Sequence, residues 1–347
     1  MSQRREQWID NMRGLAVLLV LLNHTPDTNI VENALLSMYM IPAFFLVSGY
    51  LTKYEGKGAP SFFYNRIVKL FLVYALYGLL EPFLSVSEVK RIIQSPLLIM
   101  SKLYGAVRNV IYGKCFWFIA CLILVNIIFL LIKSLSRSND LLLLICSVAV
   151  SIVGFGLSIA IGGEKRIWSA DTALVCQLFF VMGHLLKKYE KPHWYSHLKV
   201  KALLTGVAYI LIVLFVGSRY DYSLVTVGAA RNLWGMLPLT LPLIFLCLIS
   251  GLFSSRLFPG LKLLPFFGQY SLLYFVIGSH GMSVVNKIFE YLADKTGLGI
   301  LSNRAIVNPI IAYLGAVVLI PVCWLVGRYA PLLNGSFHMP RIRTADR

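Results

Sequence analysis

The chain has 347 residues, 58% hydrophobic and 14% charged, with a mean hydropathy of +0.75. Soluble domains are near half apolar and a quarter charged, so this composition excludes a soluble globular protein and reads as an integral membrane protein. Its net charge of +17 reports membrane topology first, and nucleic acid is excluded as a partner.

Apolar blocks near the ~20 residues that cross a ~30 Å hydrocarbon core recur along the whole sequence. In chain order the ten blocks are 8–26, 34–52, 67–85, 115–133, 140–161, 171–187, 201–218, 232–252, 265–286 and 305–327. The expected fold is therefore all-α, a polytopic bundle of about ten transmembrane helices. The first block has no small-residue cleavage site and leads straight into the body of the chain, unlike a signal peptide. Residues 1–335 read as one transmembrane domain and 336–347 as a short cytoplasmic tail, with 86–114 a loop or amphipathic surface piece. With the N-terminus in the cytoplasm, 19 Lys and Arg fall on the inner side and 12 on the outer, which favours two cytoplasmic termini. Cys115, Cys121, Cys146, Cys176, Cys247 and Cys323 sit in or beside apolar blocks without metal-ligand spacing and read as small buried hydrophobes. Neither a disulfide framework nor a metal is expected.

The first block carries the densest chemistry, "IDNMRGLAVLLVLLNH" over residues 9–24. A charge in hydrocarbon costs about 2.5–3.5 kcal/mol on insertion scales, so ionisable residues retained there are functional candidates. Arg13 and His24 are eleven positions apart, ~1100° of helix, so they share a face with ~16 Å between them along the axis. Asp10, three residues before Arg13, can pair with it and orient the guanidinium. It lies ~21 Å from His24, so any group orienting that imidazole is expected from another helix. Glu81 and Asp171 are rare acids in later spans, and Pro42, Pro238 and Pro242 are expected to kink theirs. Lys187, Lys188, Lys191, Lys199 and Lys201, with His193 and His197, read as a basic inner-surface loop drawn to anionic lipid.

"WIDNMRGLAVLLVLLNH" resembles the opening signature of acyltransferase family 3, bacterial membrane proteins that O-acylate sugars and cell-surface polysaccharides; here the matching residues are Ile9, Asp10, Arg13, Gly14 and His24. "IPAFFLVSGYL" (41–51) resembles the family's Pro-Phe-Phe segment ending in Ser48, Gly49 and Tyr50, and "FFYNRIVKLFLVY" (62–74) its basic helix start with Arg66 and Lys69. "FWFI" (116–119) is similar to its Trp-Phe segment and "FFGQYSLLYFVIGSH" (266–280) to its late Gly-x-x-Ser-Leu helix. One departure is that the family's late histidine would fall at Gly278, whereas this chain has His280.

The resemblance implies an O-acyltransferase of the bacterial cytoplasmic (inner) membrane that moves an acyl group, commonly acetyl, from cytoplasmic acetyl-CoA or another acyl-CoA to a glycan or lipid-linked sugar hydroxyl. It implies no metal, and membrane lipid and polysaccharide-assembly proteins as partners. Coenzyme A is a polyanion, so Arg13, Arg66 and Lys69 are its candidate cations. His24 is the candidate general base or transient acyl acceptor, with Arg13 and Asp10 beside it in the catalytic set. Ser48, Tyr50 and His280 are the candidate acceptor contacts. A secondary transporter or flippase for a sugar or lipid-linked intermediate is the alternative, disfavoured because the interrupted helices are not placed symmetrically in two halves.

Overall fold

The computed structural model describes residues 6–25, 30–54, 58–137, 139–160, 167–217, 233–257, 262–298, 300, 303–335 and 337. Among these no strand occurs, and the chain is an all-α membrane protein. The helices are α1 (Gln7–Asn23), α2 (Ile30–Tyr50), α3 (Gly58–Phe62), a π-helical turn (Phe63–Val68), α4 (Lys69–Leu84), α5 (Val86–Gln94), α6 (Leu98–Tyr112), α7 (Trp117–Leu135) and α8 (Asp140–Ala160). They continue with α9 (Ala170–Tyr189), α10 (Leu198–Gly217), α11 (Leu233–Leu257), α12 (Leu263–Gln269), α13 (Ser271–Thr296), α14 (Arg304–Val318) and α15 (Ile320–Tyr329).

Six helical segments among the described residues are long and apolar enough to cross a membrane: 58–84, 98–135, 140–158, 167–189, 271–296 and 304–329. Shorter apolar stretches, 39–50 and 244–257, occupy α2 and α11. The 17-residue α1, which carries Asp10 and Arg13, lies at the short end of the spanning range. The ninth expected block is divided at Tyr270 between α12 and α13, and the tenth at Leu319 between α14 and α15, just before Pro321. Of the two alternatives for 86–114, a loop or an amphipathic surface piece, the structure has the second, two helices that pack on α4, tied together where Arg91 and Lys102 reach Glu88.

α1 is the centre of the bundle and packs against α2, α11, α12, α13 and α14. Its Trp8, Ile9, Met12, Ala16, Val17 and Leu21 are all buried, so apolar side chains surround it instead of forming one stripe. Close approach to α12 depends on Gly14 and Gly268. A Cβ on Gly14 would lie 2.0 Å from the Leu264 carbonyl oxygen, and one on Gly268 would lie 1.9 Å from that of Asp10. On the periphery, Leu141, Ile145, Val148 and Ile152 form an exposed apolar stripe on α8, the face a lipid-solvated helix presents.

At the end of the bundle where α1 begins and α2 and α9 finish, the expected basic loop meets acids. Lys187 reaches Glu6 at 3.0 Å, Lys188 reaches Asp140 at 2.6 Å, and Arg256 pairs with Glu190 at 3.0 Å. The Arg256 guanidinium lies 4.2 Å from the Trp8 ring and 3.8 Å from that of Tyr195. Burial raises the Glu6 carboxyl, but hydrogen bonds donated by Lys187, Trp8 and Tyr50 outweigh it and hold the group below its usual 4.5. This part of the cluster is ion-paired, which revises the reading of a plain lipid-facing basic patch.

Candidate active site

A cavity of about 600 Å³ opens between α1, α2, the π-turn, α4, α7, α12, α13 and the segment after α15. Arg13, Asn23 and His24 line it from α1, Ser48 from α2, Arg66 from the π-turn, and Gln269 and Ser271 from the α12–α13 junction. Asn334 and Gly335 close one side, and Phe44, Trp117, Phe118 and Phe275 supply an aromatic wall. The wall contains two guanidiniums and, among the described residues, no carboxylate.

His24 ends α1 and stands at the exposed margin of this space. Its Nδ1 is 2.7 Å from the Val20 carbonyl oxygen. A carbonyl oxygen only accepts, so Nδ1 carries the proton and the neutral ring presents Nε2 as its basic nitrogen. Here the expectation of an orienting group on another helix fails. The last turn of any α-helix has carbonyls without intrahelical partners, and His24 takes one from its own helix.

Arg66 is positioned differently. The π-turn adds a residue to the helical turn and changes the direction of the side chains it carries. The guanidinium donates from Nη2 to the Ser48 carbonyl at 3.1 Å and hydroxyl at 3.0 Å, and from Nε to Asn126 Oδ1 at 3.2 Å. Ser48 is thus occupied in holding Arg66 as well as facing the cavity.

Phe116, immediately before α7, has a φ of 44°, in the left-handed region that a bulky residue rarely adopts. Such conformations cost about 1–3 kcal/mol and persist where packing enforces them. Here Phe116 is held against Tyr77 and Phe275, and the strained turn delivers Trp117 and Phe118 to the cavity wall.

Several expected site residues lie elsewhere. Asp10 is buried beneath α12 and does not line the cavity. Lys69 turns away: its ammonium donates to the Phe337 carbonyl at 2.5 Å and sits 4.8 Å from that ring. Tyr50 points to the ion-paired end, where its hydroxyl meets Glu6 at 3.0 Å and also Glu190. His280 is exposed and donates from Nε2 to the Leu84 carbonyl at 2.7 Å, outside the cavity. Asp171 accepts from Ser158 at 3.2 Å, an interhelical contact.

Sequence reading missed Asn126, the one strongly polar side chain in the apolar run 118–132, and the contribution of Asn334 and Gly335. The first carried a signal, a polar residue deep in a spanning block. The second carried none, because the return of the post-α15 segment to the cavity is a tertiary event. There the Tyr77 hydroxyl anchors the segment through the Leu333 carbonyl.

Neither curated proteins nor solved structures yield a match to the chain. The family of acyltransferase domains matches residues 6–328, nearly the entire sequence and every wall of the cavity except Asn334 and Gly335. The chain therefore belongs to acyltransferase family 3, and it is a multi-pass membrane acyltransferase.

Proposed function

We propose that the protein transfers an acetyl group from cytoplasmic acetyl-CoA to a hydroxyl of a cell-surface glycan or lipid-linked sugar, in the bacterial inner membrane, with His24 as general base. The observation that supports this reading best is one cavity whose described lining holds two guanidiniums, no carboxylate and an imidazole with Nδ1 on a backbone carbonyl. Two guanidiniums facing one low-dielectric space attract an anion, and the phosphates of coenzyme A supply one. An extended pantetheine arm then carries the thioester toward His24, ~16 Å along α1 from Arg13.

The sugar hydroxyl is protonated at neutral pH. Nε2 takes its proton as the oxygen attacks the thioester carbon, the C–S bond breaks, and the imidazolium returns the proton to the departing thiolate. Transient acylation of the same Nε2 is the variant of this route. Asn23 and Asn334 each leave a side-chain oxygen in the wall without a protein donor among the described residues, places for acceptor hydroxyls to donate.

The test is transfer of radiolabel from acetyl-CoA to glycan in membranes of a strain expressing the protein. Label should appear with the native chain and vanish with Arg13→Ala. Sugar movement without labelling would instead identify a carrier.

A further inference from the structure

Arg66 lies in a bilayer-spanning segment, yet among the described residues every hydrogen bond it makes goes to a neutral acceptor. Buried arginines are ordinarily balanced by a carboxylate. Asn126, fully buried in α7, stands where such a carboxylate would be. Its amide orientation follows from its neighbours: the Leu122 carbonyl accepts from Nδ2 at 2.7 Å, and Arg66 Nε, solely a donor, meets Oδ1 at 3.2 Å. With Ser48 on Nη2, the Nε–Nη2 edge of the fork is fully engaged, and Nη1 makes no hydrogen bond among the described residues.

We propose that Asn126 is a positioning residue for the acyl donor: by holding Arg66 with a neutral amide, it fixes the guanidinium in the cavity wall while leaving its charge uncompensated for a donor phosphate. This rests on the acetyl-CoA reading above. An aspartate has the same shape and accepts the same Nε bond, but as a carboxylate it would neutralise Arg66. Asparagine therefore serves ligand binding at the expense of a stronger internal ion pair.

The experiment compares acetyl-CoA with S-acetyl-pantetheine, which lacks the nucleotide phosphates, for the native chain, Asn126→Asp, Asn126→Ser and Arg66→Gln. Asn126→Asp is expected to raise KM for acetyl-CoA roughly tenfold, with kcat within about twofold and KM for acetyl-pantetheine unchanged. Asn126→Ser, neutral and still an acceptor, should remain within about threefold of native. If Arg66→Gln weakens acetyl-CoA use while Asn126→Asp behaves as native, or impairs both donors equally, or matches the serine variant, the proposal is overturned. If Asn126→Asp is not recovered from membranes, Asn126→Leu replaces it: a KM rise confined to acetyl-CoA supports the proposal, and equal impairment of both donors overturns it. A native chain inactive with acetyl-CoA would remove the donor reading itself, a separate result.

Discussion

His24 shows how a single residue obtains its chemistry from where a helix stops. As the residue closing α1 it reaches back to the Val20 carbonyl, which fixes the tautomer without a carboxylate partner. His24→Ala is expected to lower kcat for label transfer by 10² to 10⁴, the usual contribution of a positioned base, with little change in donor KM. His280→Ala serves as the contrast, because its ring is spent on the Leu84 carbonyl outside the cavity; transfer should stay within about twofold of native. His24 closes the first apolar block and His280 lies within the ninth. The backbone oxygen each one meets separates their roles.

Pairs of helices decide how close the site residues can come. Gly14 and Gly268 let α1 and α12 touch backbone to backbone, which brings Arg13, Gln269 and Ser271 to one cavity. Gly14→Ala would place a methyl carbon 2.0 Å from the Leu264 oxygen, so the helices must separate. Thermal unfolding in detergent should fall by several degrees, and transfer activity with it. Gly105→Ala in α6 meets nothing within 4 Å and should instead be neutral or slightly stabilising, since alanine favours helix by about 0.5–1 kcal/mol. Six crossing helices among the described residues were legible from apolar run length, because a bilayer demands ~20 residues of any crossing segment. The π-turn carrying Arg66 and the breaks at Tyr270 and Leu319 were not, because they answer to packing between helices.

For the molecule as a whole, the cluster of Glu6, Tyr50, Lys187, Glu190 and Arg256 joins the start of α1 to the ends of α2, α9 and α11. Because the Glu6 carboxyl is held below its usual 4.5, its contribution is complete above that pH and is lost as pH falls through the lower folded value. Followed by tryptophan fluorescence, the native chain should lose stability as pH falls below 4.5, whereas Glu6→Gln should be less stable at pH 7 and less pH-dependent below 4.5. We propose from the excess of Lys and Arg on the inner side that the C-terminus is cytoplasmic; a green fluorescent protein fused there is then expected to fluoresce, and a dark fusion with full expression reverses the orientation.

Composition and run length by themselves determined that the chain is a helical membrane protein, because the cost of polar groups in lipid writes itself into every crossing segment, and five motifs spread along it pointed to its family. Which polar residues share a cavity was decided only by tertiary structure. Arg13 and His24 lie on one helix and their common face follows from helical period. Arg66, Ser48 and Asn334 of the cavity, and Asn126 that holds Arg66, come from separate segments, and Lys69, Tyr50 and His280 are drawn away by partners remote in sequence. A hydrogen bond between distant segments depends on the packing of whole helices, and no local pattern in the chain records it.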